Sequence, residues 1–311
     1  MTEPDFQPLD GVEYGRVDQV TPMIRRVVAE NPSRFTYRGT GTYIVGHGEV
    51  AVVDPGPDLA SHRDALAAAL AGERVTAICV THCHSDHSPL AAWLRVETGA
   101  PTIAFGPHPP PDDDDEALGE EIADGVRVEE SLDLAFDPDV RVADGEAAAA
   151  GPGWTITAVH TPGHTSNHTC FAFAEERVLF PGDHVMGWST TVVSPPDGDM
   201  AAYVESLRKV AGRSDRTYWP THGPSIADPQ RYVGQLVAHR EERERQIVDA
   251  VRSGLAEIPP IVARLYAGVA AELHKAAGRT VLAHLTKLVD DGQVRVEGGG
   301  PPRLASGYVP V

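Results

Sequence analysis

The stretch VTHCHSDHSPLAAWL, residues 80–94, sets three histidines and one aspartate within one short turn of chain: His82, His84, Asp86 and His87. Imidazole nitrogens and carboxylate oxygens are the donors that borderline divalent metals such as zinc take, about four or five per ion. One H-x-H-x-D-H turn cannot enclose an ion alone, so distant segments must add donors. Three later turns carry fitting residues, each next to a glycine at the end of an expected strand. They are His164 in TPGHT, Asp183 in PGDH and His222 in THGP. A lone strand-end histidine is more often a surface or hydrogen-bonding residue than a ligand. The ordered combination of five histidines and two aspartates is what suits two metal ions sharing one carboxylate.

The elements around these residues are legible in outline. VTAICVTH reads as a short buried strand that delivers the cluster to its C-terminal end. SPLAAWLRVETG reads as the following helix, with Ser88 as its cap and Pro89 in its first turn. The cluster therefore lies on a strand-to-helix loop, where α/β folds place sites. Upstream, 42–45 and 50–53 flank the turn GHGE as a hairpin, and DPG closes its second strand. LASHRDALAAALAG and DMAAYVESLRKVAG read as helices, and RTYWPTHGPSI as a strand ending on a histidine. The class is α+β. From Gln235 the character changes to three helices and a strand, QVRVEGG. Val281, Leu285 and Leu288, joined by Leu282 and Val289, line one side of the third helix. This predicts a main domain over 1–234 and a small winged-helix-like domain over 235–311, the last residues, GGGPPRLASGYVPV, forming a loose tail.

Net charge is −19 and is unevenly spread: 1–234 holds 36 acidic against 16 basic residues, and 235–311 holds 9 against 10. A main domain so acidic repels polyphosphate at long range. Within it, PHPPPDDDDEALGEEIADG, 107–125, reads as a solvated, partly disordered insertion, with a lid or a binding loop as the second reading. No apolar run reaches the roughly 18 residues a membrane helix needs. The opening MTEPDFQPLD lacks a basic and an apolar segment, so no signal peptide and a cytoplasmic location are expected. Cys79, Cys83 and Cys170 show no CxxC spacing and imply no disulfide framework. Cys83 reads as a small buried side chain beside the site rather than a reactive thiol.

The series H-x-H-x-D-H, Gly-His, Gly-Asp and a final strand-end histidine resembles the metallo-β-lactamase superfamily. NPSRFTYRGTGTYIVG, VVDPGP, HTPGHTSNH, FPGDH and YWPTHGP, with the helical tail, resemble its beta-lactamase-like-protein-2 group over roughly 30–297. The resemblance implies an αβ/βα sandwich with metals at one edge. It gives His82, His84 and His164 to a first zinc, Asp86, His87 and His222 to a second, and Asp183 to both. Iron or manganese fills similar sites in relatives. Two β-lactamase classes of the superfamily carry a cysteine at or near the Asp183 position, so the resemblance turns away from antibiotic hydrolysis. It implies a hydrolase using a metal-bridging hydroxide that Asp86 helps to orient. His168 and His184 are nearby in sequence and read as residues behind the ligands or at the surface, with proton donation to the leaving group as the second reading.

Three functions follow. The first is hydrolysis of a small ester, thioester or lactone, which the acidic main domain favours. The second is cleavage of single-stranded RNA, with Lys275, Arg279 and Lys287 on one face of the last helix as its phosphate contacts. The third is non-catalytic: a winged helix that binds DNA or pairs subunits as a homodimer. An intact set of seven donors argues for the chemistry, and the first reading ranks ahead of RNA.

Overall fold

The computed structural model describes residues 4–9, 11–110, 121–122, 126–127 and 131–311. Most of the acidic 107–125 segment thus lies outside the described residues. Strands β1 (Val17–Gln19), β2 (Ile24–Val28), β3 (Gly41–His47) and β4 (Glu49–Val53) form an antiparallel meander. The β3–β4 hairpin turns at Gly48, whose φ of 72° suits a residue without a side chain. Helix α1 (Ala60–Ala69) carries the chain to β5 (Arg74–Cys79), and α2 (Leu90–Thr98) carries it to β6 (Thr102–Ala104). Both of these strands join the sheet in parallel. After a small hairpin, β7 (Glu121–Ile122) and β8 (Val126–Arg127), strand β9 (Val140–Arg141) completes the sheet edge. The second sheet takes β10 (Ala147–Gly151), β11 (Trp154–His160), β12 (Thr169–Phe173) and β13 (Val178–Phe180) antiparallel. After α3 (Met200–Ala211), β14 (Thr217–Tyr218) lies parallel to β13.

The two-residue period of a strand sorts side chains into layers. Tyr43, Val45, Ala51, Val53 and Cys79 of the first sheet meet Trp154, Ile156, Phe171 and Phe173 of the second in one core. Ile44, Val52 and Ile78, on the opposite face, pack on Leu66, Leu90 and Leu94 of α1 and α2. Leu179 and Tyr218 cover the outer face of the second sheet against Tyr203 and Leu207 of α3. Two sheets face to face with helices outside make the expected αβ/βα sandwich. Each fully buried Leu, Ile or Phe in these layers contributes about 1.5–3 kcal/mol.

Helix α4 (Pro229–Arg252) serves two cores. Its early residues Tyr232, Val233 and Leu236 close the sandwich, and its late residues Ile247, Val248 and Val251 enter a separate C-terminal core. That second core adds Ile261 from α5 (Ile258–Leu265) and Val281, Leu285 and Leu288 from α6 (His274–Asp290). Strands β15 (Val294–Val296) and β16 (Tyr308–Pro310) pair antiparallel as the wing.

Two expectations need correction. The C-terminal tail is not loose: Tyr308 is buried in the second core, donates its N–H to Ala256 O at 2.7 Å and its hydroxyl to Arg303 O at 2.8 Å. A large aromatic near the chain end supplies apolar area that polar, glycine-rich neighbours hide in a reading by composition. Ser88 does not cap α2, whose N-cap is Pro89. Its hydroxyl instead donates to Asp133 Oδ2 at 2.7 Å, tying the cluster loop to the segment before β9.

Candidate metal centre

Strand direction brings the expected donors to one edge. β4 and β5 are parallel, as are β13 and β14, and β11 runs the same way as β13 because β12 reverses between them. The C-terminal ends of β5, β11, β13 and β14 therefore open on the same side. There the loops supply His82 to His87, His164, Asp183 and His222. Glycine permits two of the turns. Gly163 has a φ of 132°, and a Cβ on it would stand 2.3 Å from the backbone of Tyr203. Gly182 has a φ of 52°, and its Cβ would stand 2.7 Å from His168 Nε2.

The seven donors fall into two groups. His82, His84, His164 and Asp183 converge in one, and Asp86, His87 and His222 in the other, with the donor atoms of each within 4.8 Å of one another. Nε2 of His82 and Nε2 of His164 lie 2.9 and 3.1 Å from Nδ1 of His84. In the second group Nε2 of His222 lies 2.9 Å from Asp86 Oδ2. Asp183 faces both: its Oδ1 lies 3.5 Å from His87 Nε2 and 3.4 Å from His222 Nε2, while its Oδ2 lies 4.0 Å from His164 Nε2.

The rings are held from behind. His164 Nδ1 donates to Val192 O at 2.7 Å, His222 Nδ1 to Gly39 O at 3.1 Å, and His87 Nδ1 to Asp54 Oδ2 at 2.9 Å. Each such bond fixes the ring orientation that turns Nε2 inward. Asp54 belongs to the turn DPG that ends β4, and His87 is not its only partner. It also accepts from the Thr81 amide and from the hydroxyls of Thr81 and Thr221, at 2.8 to 2.9 Å, binding three loops of the site together. The available signal was a carboxylate ending the apolar run VAVV, a position that must be buried and partnered.

This donor set fits divalent cations. Asp86 Oδ1, His87 Nε2, Asp183 Oδ1 and His222 Nε2 are buried with no hydrogen-bond partner, although such groups are rarely left so. Burial raises the carboxyl pKa values of Asp86 and Asp183, but the neighbouring imidazoles outweigh it and hold both well below the usual carboxylate range. Burial lowers His87 and His222, yet the same carboxylates draw protons onto them and raise both. In the first group burial and neighbouring rings push His84 down to about 3, leaving lone pairs free to bind. A cluster that pulls positive charge towards buried carboxylates and exposes bare nitrogens is what a cation requires.

His168 and His184 stand behind this centre. Both rings are fully buried; His168 Nδ1 meets Thr161 Oγ1 at 2.9 Å and its ring lies 5.1 Å from that of His82. Cys83 is also a buried free thiol, and Asn167 donates to its sulfur. Lys275, Arg279 and Lys287 do not form one open basic face. Lys275 is exposed, Arg279 is buried, and Lys287 is held by Glu244 and Asp291 at 3.1 and 2.7 Å. The periodicity of α6 aligns them, but Arg279 turns inward and donates to Pro195 O at 3.5 Å. No helix among the described residues is long and apolar enough to cross a membrane.

Comparison with known proteins bears on this centre. Residues 37–222 match the family described as Metallo-beta-lactamase superfamily, and 258–300 match the Beta-lactamase associated winged helix domain. Lactamase-like protein adaB of Aspergillus niger is 30% identical over 300 residues, covering 91% of this chain and 85% of that protein. An atrochrysone carboxyl ACP thioesterase of Aspergillus fumigatus is 31% identical over 244 residues, covering 76% of this chain and 67% of that protein. Among solved structures, a beta-lactamase domain protein from Burkholderia ambifaria superposes with a TM-score of 0.79. It is 22% identical and covers 99% of this chain and 97% of its own, a likeness of fold.

Proposed function

Because the chain belongs to the metallo-beta-lactamase superfamily of hydrolases, we propose that it is a binuclear zinc-dependent thioester hydrolase. The observation that carries this reading is Asp183, one carboxylate whose two oxygens face two separate groups of buried donors. Two divalent ions held there would supply Lewis acidity towards the scissile carbonyl and lower the pKa of an attacking water towards ~7. His82, His84 and His164 would hold one, Asp86, His87 and His222 the other, and Asp183 would serve both. Asp86 keeps Oδ1 free of protein partners, so it can accept a hydrogen bond from the attacking water and orient it. Val192 O, Gly39 O and Asp54 keep the rings from turning during the reaction. Water adds to the carbonyl, the C–S or C–O bond breaks, and an acid and a thiol or alcohol leave.

The thioester is favoured within this class because relatives at about this identity are named as thioesterases. RNA cleavage drew on an open basic face at Lys275, Arg279 and Lys287, and the burial of Arg279 removes that ground. A turnover panel on the zinc-loaded protein tests the proposal: acyl thioesters, a lactone, a chromogenic β-lactam and fluorogenic single-stranded RNA. Hydrolysis of the thioesters at rates well above the other three supports it. Zinc-dependent cutting of the RNA, with the thioesters left intact, overturns it.

A further inference from the structure

The loop after Asp183 has two sides. One side closes a cavity of about 50 Å³ over His84, His164 and Asp183. The other walls a second cavity, about 320 Å³, between the sandwich and the C-terminal helices. Phe35, Trp188, Thr190 and Val192 line both, so the second space adjoins the metal centre. The floor of this outer cleft is α4, between the sandwich residue Leu236 and the C-terminal core residue Ile247. Two arginines stand there, Arg240 and Arg243, 2% and 6% exposed.

Their surroundings are unusual for buried cations. Arg240 donates to Thr191 O at 2.5 Å and lies 5.2 Å from the ring of Tyr203. Arg243 donates to Leu265 O at 3.1 Å and Gln246 Oε1 at 2.9 Å, and lies 4.4 Å from the ring of Tyr266. The Nε of each is buried with no partner, as is Nδ1 of His239 in the same wall. Among the described residues neither guanidinium is paired with a carboxylate. Among the described residues that line this space none is acidic. A buried cation is ordinarily neutralised by a buried acid, because an uncompensated charge there is costly. Two planar donors facing an open volume are instead suited to an oxyanion.

We infer that the outer cleft is the subsite for an anionic group of the substrate, a carboxylate or phosphate remote from the scissile bond, held by Arg240 and Arg243. The connecting part of the substrate lies along Phe35 and Trp188, whose indole is fixed by stacking on Tyr37 at 4.7 Å. This assignment rests on the thioesterase reading for the identity of the molecule. The anion site itself does not.

Three thioesters of one acyl length test it on the zinc-loaded full chain. One is a neutral N-acetylcysteamine thioester, one is the same thioester with a terminal carboxylate on the acyl part, and one is the coenzyme A thioester. The parent should favour at least one anionic form at least tenfold in kcat/KM, mainly through KM. The favoured form says whether the carboxylate or the phosphate is the bound group. Arg243→Gln and Arg240→Gln should lower that substrate at least tenfold more than the neutral one, and Arg243→Lys should restore part of the difference. A parent without the preference, or folded variants that lose equally on all three, overturns the subsite. Calorimetry with inorganic phosphate and glutarate separates this outcome from failure of the hydrolase reading. Anion binding kept in Asp183→Ala and lost in Arg243→Gln upholds the cleft even if no thioester is cleaved. No anion binding by the parent overturns it whatever the turnover.

Discussion

Two neighbouring regions of this protein bury charge of opposite kind. At the sheet edge, Asp86 and Asp183 are surrounded by imidazoles whose outer nitrogens are tied to backbone or to Asp54. In the interdomain cleft, Arg240 and Arg243 are buried against aromatic rings with open space before them. The first region collects lone pairs and negative charge, which suits cations. The second collects guanidinium groups, which suits an anion. The loop 188–192 is shared by both, and a substrate reaching across it would present an electrophilic carbonyl to one and an anion to the other.

The largest effect should come from removing the shared acid. Asp183→Ala leaves both donor groups short of a ligand, so metal binding weakens at both positions and thioester turnover falls at least ~100-fold. Elemental analysis beside steady-state kinetics checks this. A fully loaded, fully active variant would break the opposition between the regions. Asp54→Ala should do less. It touches no proposed ligand atom but frees His87 Nδ1, so metal affinity should fall about 10- to 100-fold at the second position. Competition with a chromogenic chelator reads that shift, and unchanged affinity would mean that the ring needs no anchor.

The sequence made one of these regions visible and not the other. Seven donor residues, three of them beside a glycine, stand out as types, and parallel strand order does the rest of bringing them together. The arginines of the cleft do not stand out. They sit in HREERERQ, which reads as a solvated charged helix, and only the passage of α4 between two cores buries Arg240 and Arg243. The opposite error occurs on α6: Lys275, Arg279 and Lys287 share a helical period, but tertiary packing decides which of them meets water. Asp54 was hidden for a similar reason, since a buried strand-end acid and a turn acid look alike in one dimension.

Buried histidines behind each region give a pH dependence. Burial pushes His62, beneath the sheet edge, and His284, beside α4, down to about 4. In the unfolded chain both titrate near ~6.5. Above that value neither form binds a proton and the stability is full. As pH falls from ~6.5 towards 4, the unfolded chain takes up protons that the fold refuses, and stability is lost, about 2 kcal/mol per histidine by pH ~5. The thermal midpoint should therefore drop between pH 7 and 5, and less steeply in His62→Asn. A flat midpoint would contradict the burial of these rings as neutral groups. The smallest effect belongs to Lys287→Gln. It removes partly exposed ion pairs with Glu244 and Asp291, so stability should change by no more than ~1 kcal/mol. Thioester hydrolysis should stay at the parent rate; a large loss would restore a functional role to the basic residues of α6.

The central claim is that two ions, joined by Asp183, make one working centre. Its most direct test is to strip the protein of metal and add zinc stepwise while following thioester hydrolysis. The account predicts activity that rises with zinc and levels off at about two equivalents per chain, one for each donor group. Full hydrolysis by the metal-free protein, or a plateau with no zinc bound, would contradict it.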